Sequence, residues 1–182
     1  MTPGNDQRAY WDRNLDIQNL GSRTSPARLD LNRELAFYFS PEQEYALTRL
    51  WGDEGPKGKR ILEIGCGLGL FALFLAIQEA EVHVVDISST RLDFLRKKAF
   101  ELGLDERIHV HCAPAENLPF ADEFFDAVYT KSVLIHTDLP RAAAEAARVL
   151  KPGGRGVFVE PLDANPLDRK STRLNSSHIA VS

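Results

Sequence analysis

Three alternating glycines and the acidic residue before them are the positions of this 182-residue chain whose spacing most clearly suggests chemistry. Gly65, Gly67 and Gly69 directly follow a short apolar run, and Glu63 lies two residues before the first glycine. A strand that turns on glycines into a helix presents backbone N–H groups to a ligand. The pattern therefore predicts a site for a nucleotide-like cofactor, with an ordinary tight strand-to-helix turn as the alternative.

A second acidic residue, Asp86, is expected to close the next strand. A carboxylate at the carboxyl end of a strand beside a glycine turn can accept hydrogen bonds from both hydroxyls of a ribose. The alternative role is an N-cap for the following helix, for which Ser88, Ser89 and Thr90 are also available. The nucleoside interpretation is favoured, without a choice between cofactors.

The glycine spacing separates two cofactor classes. A dinucleotide-binding turn has the pattern G-x-G-x-x-G, which would place its third glycine at position 70. This chain has Leu70 there and its third glycine one residue earlier. An NAD-dependent oxidoreductase is therefore disfavoured but stays open as an alternative.

Histidines are the candidate bases and metal ligands. His136 follows the fourth predicted strand, where an open α/β sheet places its ligand crevice, so we expect it to be the general base if one is needed. The alternative is that His136 packs beneath a substrate loop. His109 and His111 share one face of the third predicted strand, but no Cys, Asp or third His accompanies them nearby. No metal site is predicted.

Strands and helices alternate along the segment that carries these residues. The apolar patterns predict strands at 61–64, 82–86, 108–112, 125–130 and 156–160. They predict helices at 70–80, from a cap at Ser89 or Thr90 to about residue 102, and from Asp138 to Leu150. Lys151-Pro-Gly-Gly154 is expected to separate the last helix from the fifth strand. This alternation indicates an α/β fold with a parallel sheet.

Four motifs together resemble one known family. Glu63-Ile-Gly-Cys-Gly-Leu-Gly69 resembles the E/D-x-G-x-G-x-G signature of class I S-adenosylmethionine (SAM) dependent methyltransferases. Ala115-Glu-Asn-Leu-Pro-Phe120 with the Phe-Asp that follows, Leu134-Ile-His136 and Leu150-Lys-Pro-Gly-Gly154 resemble, in the same order, the small-molecule (type 11) group that includes ubiquinone and menaquinone biosynthesis enzymes. The resemblance spans about residues 59–161.

The resemblance implies fold, cofactor and reaction. It implies a Rossmann-like methyltransferase core with strand order 3-2-1-4-5 and an N-terminal helical extension. It also implies SAM as cofactor and methyl transfer to oxygen, nitrogen or carbon of a small molecule. The cofactor-binding residues that it implies are Glu63, Gly65, Gly67, Gly69, Asp86, Ile87, Ala115, Glu116, Lys131 and Ser132.

The chain departs from the family pattern at Pro114. Members of the family commonly have an Asp there, which reaches the exocyclic amine of adenine. Proline has neither a side-chain acceptor nor a backbone donor. Adenine would then be held by apolar packing, by backbone groups or by Glu116, and we expect weaker cofactor binding.

The two ends of the chain are expected to differ from the core at 58–167. Residues 1–57 are predicted to form a helical extension, with Tyr10 and Trp11 either packed or part of a lid over the cofactor. From Asp168 the apolar periodicity ends, and the sequence resembles the translation of a sequencing adapter. We expect 168–182 to be a non-native disordered tail, the family's sixth and seventh strands to be missing, and the fifth strand to be an unpaired edge. A catalytically silent SAM-binding fragment is therefore an alternative to an active enzyme.

Composition limits the partners. The net charge of −4 and the absence of a basic patch argue against nucleic acid. The longest uncharged apolar run is too short to span a membrane, and no signal peptide is visible. Cys66 and Cys112 are expected to be small buried residues. The expected setting is the cytoplasm, with a small-molecule methyl acceptor as the partner.

Overall fold

The computed structural model describes residues 8–9, 48–51, 54–161 and 177–181. One sheet contains all the described strands, in the order β3-β2-β1-β4-β5-β6. The strands are β1 (Arg60–Ile64), β2 (Glu81–Asp86), β3 (Ile108–Cys112), β4 (Phe125–Lys131), β5 (Leu150–Pro161) and β6 (Ser177–Val181). The helices are α1 (Leu70–Ile77), α2 (Ser89–Glu101) and α3 (Leu139–Val149), with a 3₁₀ helix at Leu134–His136. Strands β1 to β5 pair in parallel, which confirms the predicted order 3-2-1-4-5.

The sheet is packed on both faces, so most residues of its central strands β1 and β4 are buried. On one face, Ile61 and Val84 pack with Leu73 of α1 and Leu95 of α2. On the other, which we call the α3 face, Leu62 and Val128 pack with Ala142 and Ala146 of α3. Over β2 and β3, none of the helices in the described part of the chain covers the α3 face, and the irregular segment 113–124 lies there.

The N-cap of helix α2 lies one residue before the first of the two predicted caps, Ser89 and Thr90. Ser88 is the N-cap, and its Oγ accepts a hydrogen bond from the Arg91 backbone N–H at 3.3 Å. Asp86 Oδ1 accepts from the Ser88 N–H at 2.8 Å. That bond helps hold Ser88 in the extended conformation that an N-cap adopts. The prediction of Ser89 or Thr90 was therefore wrong, whereas Asp138 caps α3 as expected.

Strand β5 begins at Leu150 and not near Gly156. The Pro-Gly-Gly stretch was predicted to separate the last helix from the fifth strand, but it forms a bulge within that strand. Phe125 pairs with Leu150, and Ala127 pairs next with Arg155, so the extra residues lie on the β5 side. The local pattern alone does not distinguish such a bulge from a loop.

The C-terminal segment contradicts the expectation of five strands and an unpaired edge. Residues 177–181 form β6, which pairs antiparallel with Val157–Pro161. The edge of β5 presents backbone N–H and C=O groups, and an extended segment can pair with them without an apolar pattern. The resemblance of 168–182 to a translated adapter concerns the origin of the sequence and stays a prediction.

The N-terminal predictions fall mostly outside the described residues, including Tyr10, Trp11 and the proposed lid. Residues 48–51 are helical, and Leu50 is buried in the core beside α1 and α2. No helix in the described ranges has both the length and the apolar character needed to cross a membrane.

Candidate cofactor and substrate site

The glycine turn between β1 and α1 depends on glycine for two reasons. Gly65, Gly67 and Gly69 have φ values of 78°, 53° and 74°, in the left-handed region that side chains rarely adopt. A Cβ atom at Gly65 would overlap Val133, and one at Gly69 would lie 2.5 Å from Leu95 Cδ1. Those two glycines therefore let neighbouring elements pack against the turn.

Gly67 differs from the other two glycines of the turn. The nearest atom to a Cβ placed there is Nη1 of Arg91, at 3.9 Å. Space is therefore left around Gly67, and its backbone stays accessible. We assign the close approach of a ligand to this glycine.

Asp86 ends β2 beside the turn and is 9% exposed. Its Oδ2 accepts from the Cys66 backbone N–H at 2.9 Å, and its Oδ1 accepts from Ser88 as described above. Oδ2 also accepts from the Cys66 thiol, with Sγ at 3.4 Å. These bonds fix the carboxylate, and Oδ1 keeps a lone pair for a further donor. Burial and the nearby Asp86 charge raise the pKa of the Cys66 thiol well above its ordinary value. The arrangement fits a fixed acceptor for ribose hydroxyls, and not a reactive thiol.

Glu63 is the other buried acid at the turn. It is 4% exposed, and its Oε2 has no hydrogen-bond partner among the described residues. Burial raises the pKa of its carboxyl well above the ordinary value, and the Asp86 charge raises it further, against a hydrogen bond from the Ala72 backbone. A buried polar atom without a partner is costly and points to a ligand that supplies one. The α-ammonium of SAM is such a group, so the residues present fit the expected cofactor.

The segment after β3 holds the next predicted residues. Ala115 is buried, and Pro114 is exposed. Glu116 Oε1 accepts from the Asp138 backbone N–H at 2.9 Å, which ties this segment to the start of α3. One oxygen of Glu116 is thus used within the protein. Ala113 donates its N–H to the Asp86 carbonyl at 3.2 Å, so the segment approaches the carboxyl end of β2.

The segment after β4 carries Lys131, Ser132 and His136. Ser132 has a φ of 55°, and its N–H donates to the Val159 carbonyl at 2.8 Å. Loss of solvent lowers the pKa of Lys131. His136 ends the 3₁₀ helix, and its side chain is exposed.

Glu160 is a site residue that the sequence analysis missed. Its Oε1 accepts from the N–H groups of Val133 and Leu134, each at 3.1 Å, and its Oε2 accepts from Ile135 at 3.4 Å. This carboxylate therefore fixes the segment that presents His136. The sequence feature that could have identified Glu160 is the one that identified Asp86, an acidic residue at the carboxyl end of a parallel strand.

Strand order brings most of these residues together. Strand β1 lies between β2 and β4, so the glycine turn has the Asp86 strand on one side and the His136 segment on the other. The crevice of an open α/β sheet lies where the strand order reverses, which here is between β1 and β4. Ile87 lies next to Asp86, and its carbonyl accepts from the Cys112 thiol at 3.7 Å.

Two predictions about cysteine and histidine residues were wrong: that Cys112 is buried, and that no third histidine accompanies His109 and His111. Cys112 is exposed, although Cys66 is buried as expected. A third histidine does accompany His109 and His111, because β2 pairs with β3 and places His83 directly beside His109. Glu81 lies on the same face, so the structure groups metal-ligating side chains that the sequence separates.

The strand order, the glycine turn and the two acids define the Rossmann-like fold of class I SAM-dependent methyltransferases. Residues 62–158 match the family described as "Methyltransferase domain", and the chain belongs to this family. This confirms the resemblance to the type 11 group that the four motifs indicated.

Curated relatives agree with this assignment. The chain is 35% identical over 118 residues to the dimethylglycine N-methyltransferase of Parasynechococcus marenigrum, covering 64% of this chain and 42% of the relative. It is 39% identical over 114 residues to the ubiquinone biosynthesis O-methyltransferase of Alkalilimnicola ehrlichii, covering 62% and 45%. The chain thus spans less than half the length of these curated relatives.

Two solved structures are also similar. A geranyl diphosphate methyltransferase in complex with SAM has a TM-score of 0.62 and 28% identity, covering 80% of this chain and 58% of that one. The [4+2]-cyclase SpnF has a TM-score of 0.60 and 33% identity, covering 65% and 43%. The family and the SAM complex confirm SAM as the cofactor.

Proposed function

We propose that this protein transfers the methyl group of SAM to a small-molecule acceptor. The observation that carries the proposal is the pair of buried acids at the glycine turn. Glu63 has an oxygen without a partner, and Asp86 is a fixed acceptor at the end of the neighbouring strand. One acid suits the ammonium end of SAM and the other its ribose, with the open backbone at Gly67 between them.

When bound, SAM supplies a methyl group on a sulfonium sulfur, which leaves as a neutral thioether. The task of the protein is then to position the acceptor and exclude water. Glu160 fixes the 3₁₀ helix, so His136 is presented at the carboxyl edge of the sheet. In our proposal, His136 accepts the proton that an oxygen or nitrogen acceptor loses as its lone pair bonds to the methyl carbon.

The class of acceptor atom is left open between oxygen, nitrogen and carbon. One relative is named an N-methyltransferase and the other an O-methyltransferase, and similarity does not choose between them. A carbon acceptor whose proton is lost after methyl transfer would use the same base at a later step.

A silent SAM-binding fragment is the second candidate. The chain spans only part of its relatives, and one similar structure is named a cyclase, so the fold alone does not fix the reaction. The NAD-dependent alternative has no support in the family match.

A methyl-transfer assay distinguishes the two candidates. SAM carrying a labelled methyl group is incubated with panels of phenols, amines and activated carbon acids, and labelled product is measured beside S-adenosylhomocysteine. We expect stoichiometric amounts of both from one acceptor class, with a lower kcat for His136→Gln and unchanged SAM binding. SAM binding without transfer to any panel would favour the silent fragment.

A further inference from the structure

Four polar side chains lie together on the α3 face at β2 and β3, and we call them the histidine cluster: Glu81, His83, His109 and His111. Side chains alternate between faces along a strand, so Glu81 and His83 share a face on β2, as His109 and His111 do on β3. The register places His83 opposite His109, and Val85 opposite His111. The pairing of two strands thus assembles the cluster.

The histidine cluster lies on a part of the sheet that none of the described helices covers. The segment 113–124 covers it only in part, with Phe120 and Phe124 in edge contact with the His83 ring at centroid distances of 5.6 and 5.5 Å. His83 is buried, at 8% exposure, whereas the other three members are partly exposed. An ion can therefore reach a group of side chains that are already partly desolvated.

The distances within the cluster are close to those of a metal coordination shell. His83 Nε2 lies 3.0 Å from Glu81 Oε1, and His83 Nδ1 lies 3.3 Å from His111 Nε2. Ligand atoms of Glu81, His83 and His109 all lie within 4.8 Å of one another. Zinc bonds of about 2.0–2.1 Å in a tetrahedron separate the ligand atoms by about 3.4 Å. Small side-chain rotations would bring the three atoms to that separation.

A side chain of the neighbouring strand β1 also holds one member of the histidine cluster in place. Arg60 Nε donates to Glu81 Oε1 at 3.1 Å and orients the carboxylate.

We propose that Glu81, His83 and His109 bind a divalent transition-metal ion of the zinc class. His111 Nε2 lies 3.3 Å from Nδ1 of the His83 ring, the nitrogen that does not face Glu81, and helps orient that ring. Two imidazoles and a carboxylate are a donor set that such ions accept and that Mg²⁺ and Ca²⁺ rarely use. The ion would join β2 to the edge strand β3 and stabilise that side of the sheet. It would lie about 10 Å or more along β2 from Asp86, so the inference is independent of the methyl-transfer site.

Metal titration tests the proposal directly. The chain is prepared without a polyhistidine tag, freed of metal, and titrated with Zn²⁺ by calorimetry and with Co²⁺ by visible absorption. We expect one equivalent to bind, Co²⁺ bands typical of four- or five-fold coordination, and a higher Tm with Zn²⁺. His109→Gln and Glu81→Gln should each weaken Zn²⁺ binding by about 10–100-fold or more. Losses of about 10–100-fold are found even when the replaced residue only hydrogen-bonds to a metal ligand.

Two control variants make the result specific. His136→Gln removes a histidine outside the cluster, and Cys112→Ser removes the exposed thiol that could bind zinc by itself. Both should keep the Zn²⁺ affinity and the increase in Tm. His109 is the main test position because it is partly exposed on an edge strand and its replacement leaves the core intact. Equal Zn²⁺ affinity in the original chain and in His109→Gln, or loss of binding in Cys112→Ser, would overturn the proposal.

Discussion

At the scale of single residues, the buried carboxylate of Glu63 lowers the folding stability of the free protein, and bound SAM should remove this effect. Its raised pKa means that the folded protein keeps a proton which the unfolded chain releases above its ordinary pKa of 4.5. Folding stability therefore falls as the pH rises from that value to the raised pKa. The loss is complete above the raised pKa, where the folded carboxylate is charged, buried and short of a partner.

Glu63→Gln should remove this dependence, because an amide does not titrate. We expect the free variant to melt higher than the original protein at neutral pH, by about 2–4 °C for each kcal/mol gained in a domain of this size. Melting curves across a pH series measure the effect, with the exposed Glu106→Gln as control. Parallel pH profiles for the original chain and Glu63→Gln would contradict this account of Glu63.

Pro114 is expected to weaken the hold on adenine. Its side chain is exposed, and its carbonyl accepts from Asn117 at 3.2 Å, a bond that any residue at this position can make. Pro114→Asp should therefore tighten SAM binding by up to about tenfold, or about 1.4 kcal/mol. Pro114→Ala separates the gain of a carboxylate from the loss of proline. If the Asp and Ala variants bind SAM equally, adenine does not lie beside this position.

At the scale of elements, Glu160 joins the end of β5 to the segment after β4. A carboxylate that accepts three backbone N–H groups orders that segment as a capping residue orders a helix start. Glu160→Ala should speed amide exchange at Val133, Leu134 and Ile135 and lower kcat, with SAM affinity largely kept. Glu160→Gln keeps one acceptor oxygen, so its amide exchange rates and kcat should lie between those of the original protein and those of Glu160→Ala. Unchanged exchange at the three amides in Glu160→Ala would show that other contacts hold the segment.

The strand β6 gives a second prediction at this scale. A chain that ends at residue 176 should lose amide protection along Val157–Val159 and aggregate more readily, because it leaves the edge of β5 unpaired. Hydrogen exchange of the two chain lengths, with β1 as an internal reference, measures the difference. If residues 177–181 do not pair with β5, hydrogen exchange should be identical in both chains. That result would support the expectation of a disordered tail at 168–182.

At the scale of the whole molecule, the sequence predicted what local patterns determine. The glycine turn, Asp86 and the alternation of strands and helices each depend on residues close in the chain, and the family resemblance supplied the strand order. Glu160 and the histidine cluster depend on which strands become neighbours and in which register, so no local pattern marks them. Ser88, Ser89 and Thr90 were all available as caps, and the choice of Ser88 depends on the hydrogen bond that its N–H donates to Asp86, two residues earlier. Strand β6 was missed because backbone pairing at an edge requires no apolar pattern.

The central claim is that two buried acids at the glycine turn hold SAM, and calorimetric titration with SAM tests it most directly. The original chain should bind SAM and S-adenosylhomocysteine but not NAD. Asp86→Asn and Glu63→Gln should each raise the Kd for SAM by about 10–150-fold, the equivalent of losing about 1.5–3 kcal/mol of charge-assisted hydrogen bonding. Asp93→Asn, an exposed acid on α2, should leave the Kd unchanged. An unchanged Kd in both acid variants, or tighter binding of NAD than of SAM, would contradict the account.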